Sequence, residues 1–137
     1  MERSLVLVKP DAVRKGQAAE IISRLEKLGL KIIALKMLRM DRALAERQYS
    51  IHRDKPFFDA LVAYMTSAPI VAVVFEGEGA VARIRQAVGA TDPAKADAGT
   101  IRADFGLDVT HNAVHGSDSV ATAEEEIWLF FTEGEIF

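Results

Sequence analysis

The chain has 137 residues, of which half are hydrophobic and about a quarter charged, and its formal net charge is −3. This length suits a single domain with a substantial core, and a net negative charge argues against a broad basic surface for nucleic acid. There is no cysteine, no apolar run near the roughly 18 residues of a membrane span and no signal-peptide pattern after Met1, so we expect one cytoplasmic domain over residues 1–137 without disulfides.

Apolar periodicity predicts four strands and five helices. Short continuous apolar runs indicate buried strands, whereas apolar residues spaced by three and four indicate helices that end at turn and capping residues. In chain order, the predicted elements are a strand over 4–8 closed by a turn at Lys9-Pro10-Asp11, a helix over 17–28 ending at Gly29, a strand over 30–40, a helix from Asp41 to Tyr49, a helix over 57–65, a strand over 70–75, a helix over 80–88, a short strand before His115, and a helix over 122–131 with a capping box at Thr122 and Glu125.

Residues 91–110 show no sustained periodicity and carry Pro93, Gly99 and Gly106. A loop of this length is unusual inside a small domain and is typically functional or part of an interface. We therefore expect residues 91–110 to contribute to a site or to subunit contacts.

The segment Asn112–Ser119 places an imidazole, His115, where an apolar strand meets a Gly/Ser/Asp turn. Neutral imidazole is nucleophilic near neutral pH, and a neighbouring carboxylate can orient it and stabilise its positive charge. Glu126 lies beside the apolar stripe of the last predicted helix and could serve as that carboxylate. Spacing alone does not distinguish this interpretation from a solvated acidic residue at the start of the helix.

Lys9 follows a strand, Arg85 lies in a helix, and Thr91 and Arg102 lie in the long loop. Each alone is most simply a surface residue, but together they could form the local cation cluster that an anionic ligand needs. Phe57 is a core residue by default, although an aromatic side chain at a cleft mouth could stack on a base.

Two other patterns are weaker. The G-x-G-x-x-A motif over 77–82, with Asp97 downstream, matches a dinucleotide-binding fingerprint, but Asp97 sits in turn-forming sequence rather than at the end of a strand. We interpret the motif as a structural turn and disfavour a dehydrogenase. His52 and His111 are interpreted as surface imidazoles, and the histidines lack metal-site spacing.

Several motifs together resemble nucleoside diphosphate kinases, and the resemblance covers essentially the whole chain. The segment from Asn112 to Ser119 is similar to the active-site signature of that family. The other landmarks, in matching order and spacing, are Lys9-Pro10-Asp11, Tyr49 followed by Lys55-Pro56-Phe57-Phe58, Gly89-Ala90-Thr91-Asp92-Pro93 and Gly99-Thr100-Ile101-Arg102-Ala103-Asp104-Phe105.

The resemblance implies an α/β (α+β) fold of the ferredoxin-like sandwich type, with a four-stranded antiparallel sheet covered by helices. It also implies ping-pong transfer of the terminal phosphate from a nucleoside triphosphate such as ATP to a nucleoside diphosphate through phosphohistidine, with broad base and sugar tolerance. Mg²⁺ would be carried on the nucleotide phosphates, with no metal ligands from protein side chains. A homo-oligomer is implied, with a hexamer favoured over a tetramer, and neither a membrane nor a specific nucleic acid is an expected partner.

Site roles follow from the same resemblance. His115 would be the nucleophile, oriented by Glu126 and Ser117 through hydrogen bonds. The remaining roles place Lys9 and Tyr49 at the transferred phosphate, Lys9 and Asn112 at the sugar, Arg85, Thr91 and Arg102 at the phosphates, and Phe57 and Val109 on either side of the base.

Three positions depart from the family pattern: Ala12 and Ala103, where glycine is common, and Lys15, where arginine is common. They bear on loop flexibility and a surface contact rather than on the chemistry. A catalytically silent nucleotide-binding protein with the same fold is the main alternative, and the presence of both His115 and Lys9 disfavours it.

Overall fold

The computed structural model describes all residues 1–137. The four strands are β1 (Glu2–Val8), β2 (Lys31–Leu38), β3 (Ile70–Gly77) and β4 (Val114–Gly116). The α-helices are α1 (Pro10–Arg14), α2 (Ala18–Glu26), α3 (Arg42–Gln48), α4 (Phe58–Met65), α5 (Ala80–Val88), α6 (Ile101–Phe105) and α7 (Val120–Phe130), and short 3-10 turns lie at Ser50–His52, Pro93–Lys95 and Glu133–Glu135. No helix combines the length and the apolar character that crossing a membrane requires.

The strands form one sheet in the order β2-β3-β1-β4, and every neighbouring pair is antiparallel. Strand β1 is therefore paired on both sides, with Leu7 opposite Ala72 of β3 and opposite His115 of β4. The predicted four-stranded antiparallel sheet covered by helices is confirmed.

Both faces of the sheet are buried under helices, because successive side chains of a strand point to opposite faces. Leu5 and Leu7 of β1 pack into a core with α3, α4 and α7, whereas Val6 and Val8 pack into a second core with α2 and α5. This double burial explains why β1 and β3 read as continuous apolar runs rather than as alternating patterns.

The structure corrects two predicted boundaries near the site. The turn predicted at Lys9-Pro10-Asp11 is the start of the short helix α1, since the fixed φ of proline suits a first helical position. The last helix begins at Val120 rather than at Thr122, because the Ser119 hydroxyl caps it by accepting the Thr122 N–H at 3.1 Å.

The predicted loop over 91–110 also contains structure of its own. Its middle part forms α6, whose first turn is capped by Thr100, with the Ala103 N–H donating to the Thr100 hydroxyl. A helix of five residues is too short to produce a readable apolar period, and tertiary packing of the buried Ile101 holds it against the core.

Candidate active site

The pairing of β1 with β4 brings two distant segments of the predicted site together. Val8 lies opposite Val114, and one residue further on the Lys9 N–H donates to the Ala113 carbonyl at 2.8 Å. The residues that follow β1 and the residues that precede β4 therefore meet at one end of the sheet. Lys9, Asn112 and His115 share this end as a direct consequence of strand register.

His115 is coupled to Glu126 of α7. Its Nε2 lies 2.9 Å from Oε2 of Glu126, and Oε1 of Glu126 accepts the Ser117 hydroxyl at 2.6 Å. Glu126 is buried on the inner side of α7, so the interpretation as a solvated acidic helix start does not hold. Ser117 contacts Glu126 and the backbone of Leu5 rather than His115, so any influence of its hydroxyl on the imidazole passes through Glu126.

Gln48 at the end of α3 completes this group, and no sequence pattern had identified it. Its side-chain Nε2 donates to Oε2 of Glu126 at 2.5 Å and lies 3.2 Å from Nε2 of His115. Its Oε1 is buried without a partner. Reversing the amide would put Oε1 against the Glu126 carboxylate, so this carboxylate fixes the orientation of Gln48.

The surroundings keep Glu126 ionised. Burial alone would raise the pKa of this carboxyl, but the hydrogen bonds and the charge of His115, with the donors Ser117 and Gln48, outweigh burial and hold the pKa below its ordinary value. A carboxylate therefore faces Nε2 of the imidazole at neutral pH.

Lys9 is a buried cation next to these residues. Lys9 is only 6% exposed as a residue. Its ammonium donates to Oδ1 of Asn112 at 2.7 Å. Burial, and secondarily the positive charge of Arg102, lower the pKa of Lys9 to about 8. The fold thus holds a costly charge in a position where an anion would offset it.

Arg102 of α6 lies beside the same end of the sheet. Its guanidinium donates to the carbonyls of Gly89 at 3.1 Å and Val114 at 2.8 Å, and its Nε is buried without a partner. Burial, followed by the charge of Arg85, lowers the pKa of Arg102 to about 10. Arg85 is exposed and forms an ion pair with Asp118, so this second guanidinium can exchange its partner for a ligand phosphate.

Asn112 joins the long loop to the site. Its side-chain amide donates to the carbonyls of Thr91 at 2.9 Å and Val109 at 3.2 Å, while its Oδ1 accepts from Lys9. Thr91 and Val109, both predicted to contact a ligand, are therefore positioned through their backbone. Their side chains stay exposed.

Tyr49 supplies a buried hydroxyl with no partner in the protein. Its ring lies edge-on to His115, with centroids 6.3 Å apart. Burial, and then the charge of Glu126, raise the pKa of Tyr49, so the phenol remains a hydrogen-bond donor throughout the physiological range.

Phe57 and His52 lie together between α3 and α4. Phe57 is 47% exposed, and the two ring centroids are 5.4 Å apart. His52 is partly exposed, in keeping with the predicted surface imidazole, but its Nδ1 is buried without a partner. Burial, and then the charge of Lys55, lower the pKa of His52, which favours a neutral ring at this edge of the site.

His111 also lies at the surface as predicted, with its side chain 42% exposed and one side of the ring packed. Its Nδ1 lies 3.0 Å from a carboxylate oxygen of Asp108, and its ring packs edge-on to Tyr64 at a centroid distance of 4.5 Å. His111 therefore packs on the outer side of the segment that leads into β4.

The glycine pattern over 77–82 has the structural role expected for it. A Cβ on Gly77 would lie 2.5 Å from a Leu30 side-chain carbon, and Gly79 has a φ of 62°. Tight packing and a left-handed backbone account for both glycines. The all-antiparallel sheet also lacks the parallel strand pair of a dinucleotide-binding unit.

Comparisons with known proteins agree along the whole chain. Residues 2–136 match the family model described as nucleoside diphosphate kinase. A nucleoside diphosphate kinase of Dehalococcoides mccartyi is 58% identical over 99% of this chain and 96% of its own length, and one of Archaeoglobus fulgidus is 58% identical over 99% and 90%. The solved nucleoside diphosphate kinase of Aquifex aeolicus superposes with a TM-score of 0.96 at 45% identity, covering 99% of both chains. That of Halobacterium salinarum, in complex with CDP, gives 0.97 at 47% identity over 99% of this chain and 91% of its own.

Proposed function

This chain belongs to the nucleoside diphosphate kinase family, and from that membership we propose that residues 1–137 form one catalytic domain working through a phosphorylated His115. The terminal phosphate of a nucleoside triphosphate would pass to His115, and then to a nucleoside diphosphate. The observation that carries this proposal is the 2.9 Å contact between Nε2 of His115 and the Glu126 carboxylate. With Nε2 donating its hydrogen to the carboxylate, the lone pair of Nδ1 is free to attack phosphorus.

The first half-reaction forms a bond between Nδ1 of His115 and the terminal phosphorus, and it breaks the bond from that phosphorus to the bridging oxygen. The departing nucleoside diphosphate takes the electron pair, and the ring acquires positive charge that the Glu126 carboxylate compensates. In the second half-reaction, a terminal oxygen of another nucleoside diphosphate attacks the phosphorus, and Nδ1 recovers its electron pair. One ring nitrogen thus acts alternately as nucleophile and leaving group.

Positioning and charge neutralisation supply most of the catalysis in phosphoryl transfer. The ammonium of Lys9 and the guanidinium of Arg102 are buried cations whose charge a phosphate would compensate, and the partnerless Tyr49 hydroxyl is a donor for the transferred group. Arg85 and Thr91 would hold the remaining phosphates at the exposed side. The neutral His52 ring would add a polar contact for the nucleotide.

The base would lie between Phe57 and Val109, both more than 40% exposed, and the sugar beside Lys9 and Asn112. Stacking is available to every base because each has a π-face, which supports broad base tolerance. Mg²⁺ would arrive on the nucleotide, because this ion prefers phosphate oxygens and keeps much of its water. It would neutralise phosphate charge there, while this chain's own residues orient the group.

The proposed assembly is a homo-oligomer, a hexamer in preference to a tetramer, working in the cytoplasm. Strand β2 is an edge of the sheet, and its Leu35 and Met37 are 51% and 63% exposed. An apolar edge strand tends to pair with another chain unless it is covered. These two side chains support burial of β2 against a second subunit.

Incubation with terminally labelled ATP and no acceptor tests the proposal directly. The protein should gain acid-labile, alkali-stable label, and added nucleoside diphosphate should remove the label as nucleoside triphosphate. The His115→Ala variant should gain no label, provided that circular dichroism shows it to be folded. Full labelling of that variant would refute the mechanism, and nucleotide binding without label would instead identify a silent binding protein.

A further inference from the structure

The residue two positions before His115 has an unusual backbone. Ala113 has a φ of 72° and is the only residue other than glycine with a positive φ. The Val114 N–H donates to the Asn112 carbonyl at 2.9 Å across it. This is a γ-turn with positive φ at its centre, the rare and strained kind. Such strain persists only where surrounding contacts over-determine the backbone.

The neighbouring segment after β1 holds both polar groups of Ala113. Its carbonyl accepts the Lys9 N–H at 2.8 Å, and its N–H donates to Oδ2 of Asp11 at 3.0 Å. Ala113 itself is fully buried. A relaxed backbone at this position would leave a buried donor or acceptor without a partner, which is unfavourable.

Asp11 is held in turn by Tyr64 of α4. The Tyr64 hydroxyl donates to Oδ1 of Asp11 and accepts the Asp11 backbone N–H at 2.8 Å. Burial, and then the hydrogen bond to Asp11, raise the pKa of Tyr64, so its hydroxyl keeps its proton. Asp11 is 8% exposed, and the hydroxyl fixes which carboxylate oxygen faces Ala113.

We propose that Asp11 and Tyr64, here called the Asp11–Tyr64 brace, are positioning residues that hold Ala113 in its left-handed conformation and so aim Asn112 and His115. This inference rests on the proposed function, because it concerns the rate at which His115 is phosphorylated. Neither brace residue contacts His115. Their influence passes through the γ-turn, which has Asn112 on one side and the three-residue strand β4 on the other.

A relaxed turn would affect both flanking side chains. The Asn112 peptide would rotate, and its side chain would lose its alignment with the Lys9 ammonium. Strand β4 would shift along β1, carrying His115 away from Glu126. Misplacement of a reacting group by about 1 Å can cost about a hundredfold in rate.

Four variants test the brace through single-turnover labelling of His115. Tyr64→Phe removes the hydroxyl, and Asp11→Asn removes the charge. Asp59→Asn, an exposed carboxylate on the same helix as Tyr64, controls for loss of one charge. Both brace variants should lower the labelling rate about tenfold or more, as misplaced groups do, while Asp59→Asn should not.

The fourth variant separates positioning from a general loss of structure. Tyr64→Phe combined with Ala113→Gly gives the turn a residue that adopts positive φ without strain, and it adds no contact. The double variant should recover the native rate to within about threefold. If it stays as slow as Tyr64→Phe alone, the brace does not act through Ala113 and the inference fails.

A readout besides activity is the amide proton of Ala113 in NMR spectra. Donation to a carboxylate shifts such a proton downfield, so Asp11→Asn should move it upfield. An unmoved resonance, or native labelling rates in both brace variants, would overturn the brace while leaving the phosphohistidine mechanism intact. Native protein that never labels His115 would instead refute the proposed function, and the brace with it.

Discussion

Nε2 of His115 lies 2.9 Å from Oε2 of Glu126, and Nδ1 of the same ring makes no hydrogen bond within the protein. The two nitrogens of one imidazole are therefore in different environments. One is held by a carboxylate, and the other is available to a substrate. This asymmetry assigns the proton to Nε2 and the nucleophilic lone pair to Nδ1.

Glu126→Gln should slow phosphorylation of His115 about tenfold or more, because the positive charge on the phosphorylated ring loses its compensating carboxylate. Rapid-quench labelling measures the rate, and chemical analysis of the phosphohistidine should place phosphate on Nδ1. Glu125→Gln, an exposed change at the preceding residue of α7, is the matched control. Label on Nε2 would contradict the assignment of the proton.

Gln48→Leu removes one donor from Glu126 while approximately keeping side-chain volume. The rate at neutral pH should fall by about tenfold to a hundredfold, the equivalent of one hydrogen bond to a charged group. The pKa of Glu126 is held low partly by this donor, so its loss raises the pKa and the acid-side fall in rate should begin at a higher pH. Gln86→Leu on the exposed face of α5 is the control, and superimposable pH profiles for Gln48→Leu and the native protein would refute this role.

The sequence alone could not decide whether Glu126 contacts His115. Helical spacing places Glu126 beside the apolar stripe of α7, but it cannot show which neighbouring element that side of the helix meets. The register of β4 against β1 decides it, and register is a property of the folded sheet. The sequence does predict the strands, the longer helices and the site residues that lie in motifs, because their signals are local or recur at set spacing.

Gln48 and Ala113 could not be found this way. Gln48 looks like any polar residue at the end of a helix, and its role arises only from contact with α7 and β4. Ala113 carries no preference for positive φ, which glycine or asparagine would have signalled. Its conformation is imposed by distant residues, so local propensity points the wrong way.

Lys9→Met should abolish phosphate transfer and stabilise the fold at pH 7. The pKa of Lys9 falls from 10.5 to about 8 on folding. Below pH 8, keeping this lysine charged therefore lowers the free energy of unfolding by about 3 kcal/mol. Loss of the hydrogen bond between the charged ammonium and Asn112 offsets about 2 kcal/mol, which leaves a net gain of about 1 kcal/mol.

Urea denaturation across pH checks the sign of this effect. Unfolded Lys9 binds a proton between pH 8 and 10.5 that the folded residue does not, so native stability should rise over this interval and the advantage of the methionine variant should shrink. Lys15→Met, at an exposed position, controls for the loss of one surface charge. A variant less stable than the native protein at pH 7 would refute the buried-charge account of Lys9.

Met37→Glu should weaken the proposed assembly at the β2 edge. A carboxylate buried opposite its own symmetry copy repels it and loses solvation, so sedimentation should show a smaller species while labelling per chain persists. Ala82→Glu on the exposed face of α5 adds the same charge elsewhere. A hexamer or tetramer unchanged by Met37→Glu would place the interface on another surface.

The long loop is tied to the site through main-chain carbonyls, which has a practical use. Arg102 and Asn112 reach the backbone oxygens of Gly89, Thr91, Val109 and Val114. Side chains on the outer side of this loop can therefore be substituted without breaking these hydrogen bonds. Since the chain has no cysteine, Ala94→Cys at the exposed turn would give a single thiol for a fluorophore, which would follow nucleotide exchange in real time on an otherwise native enzyme.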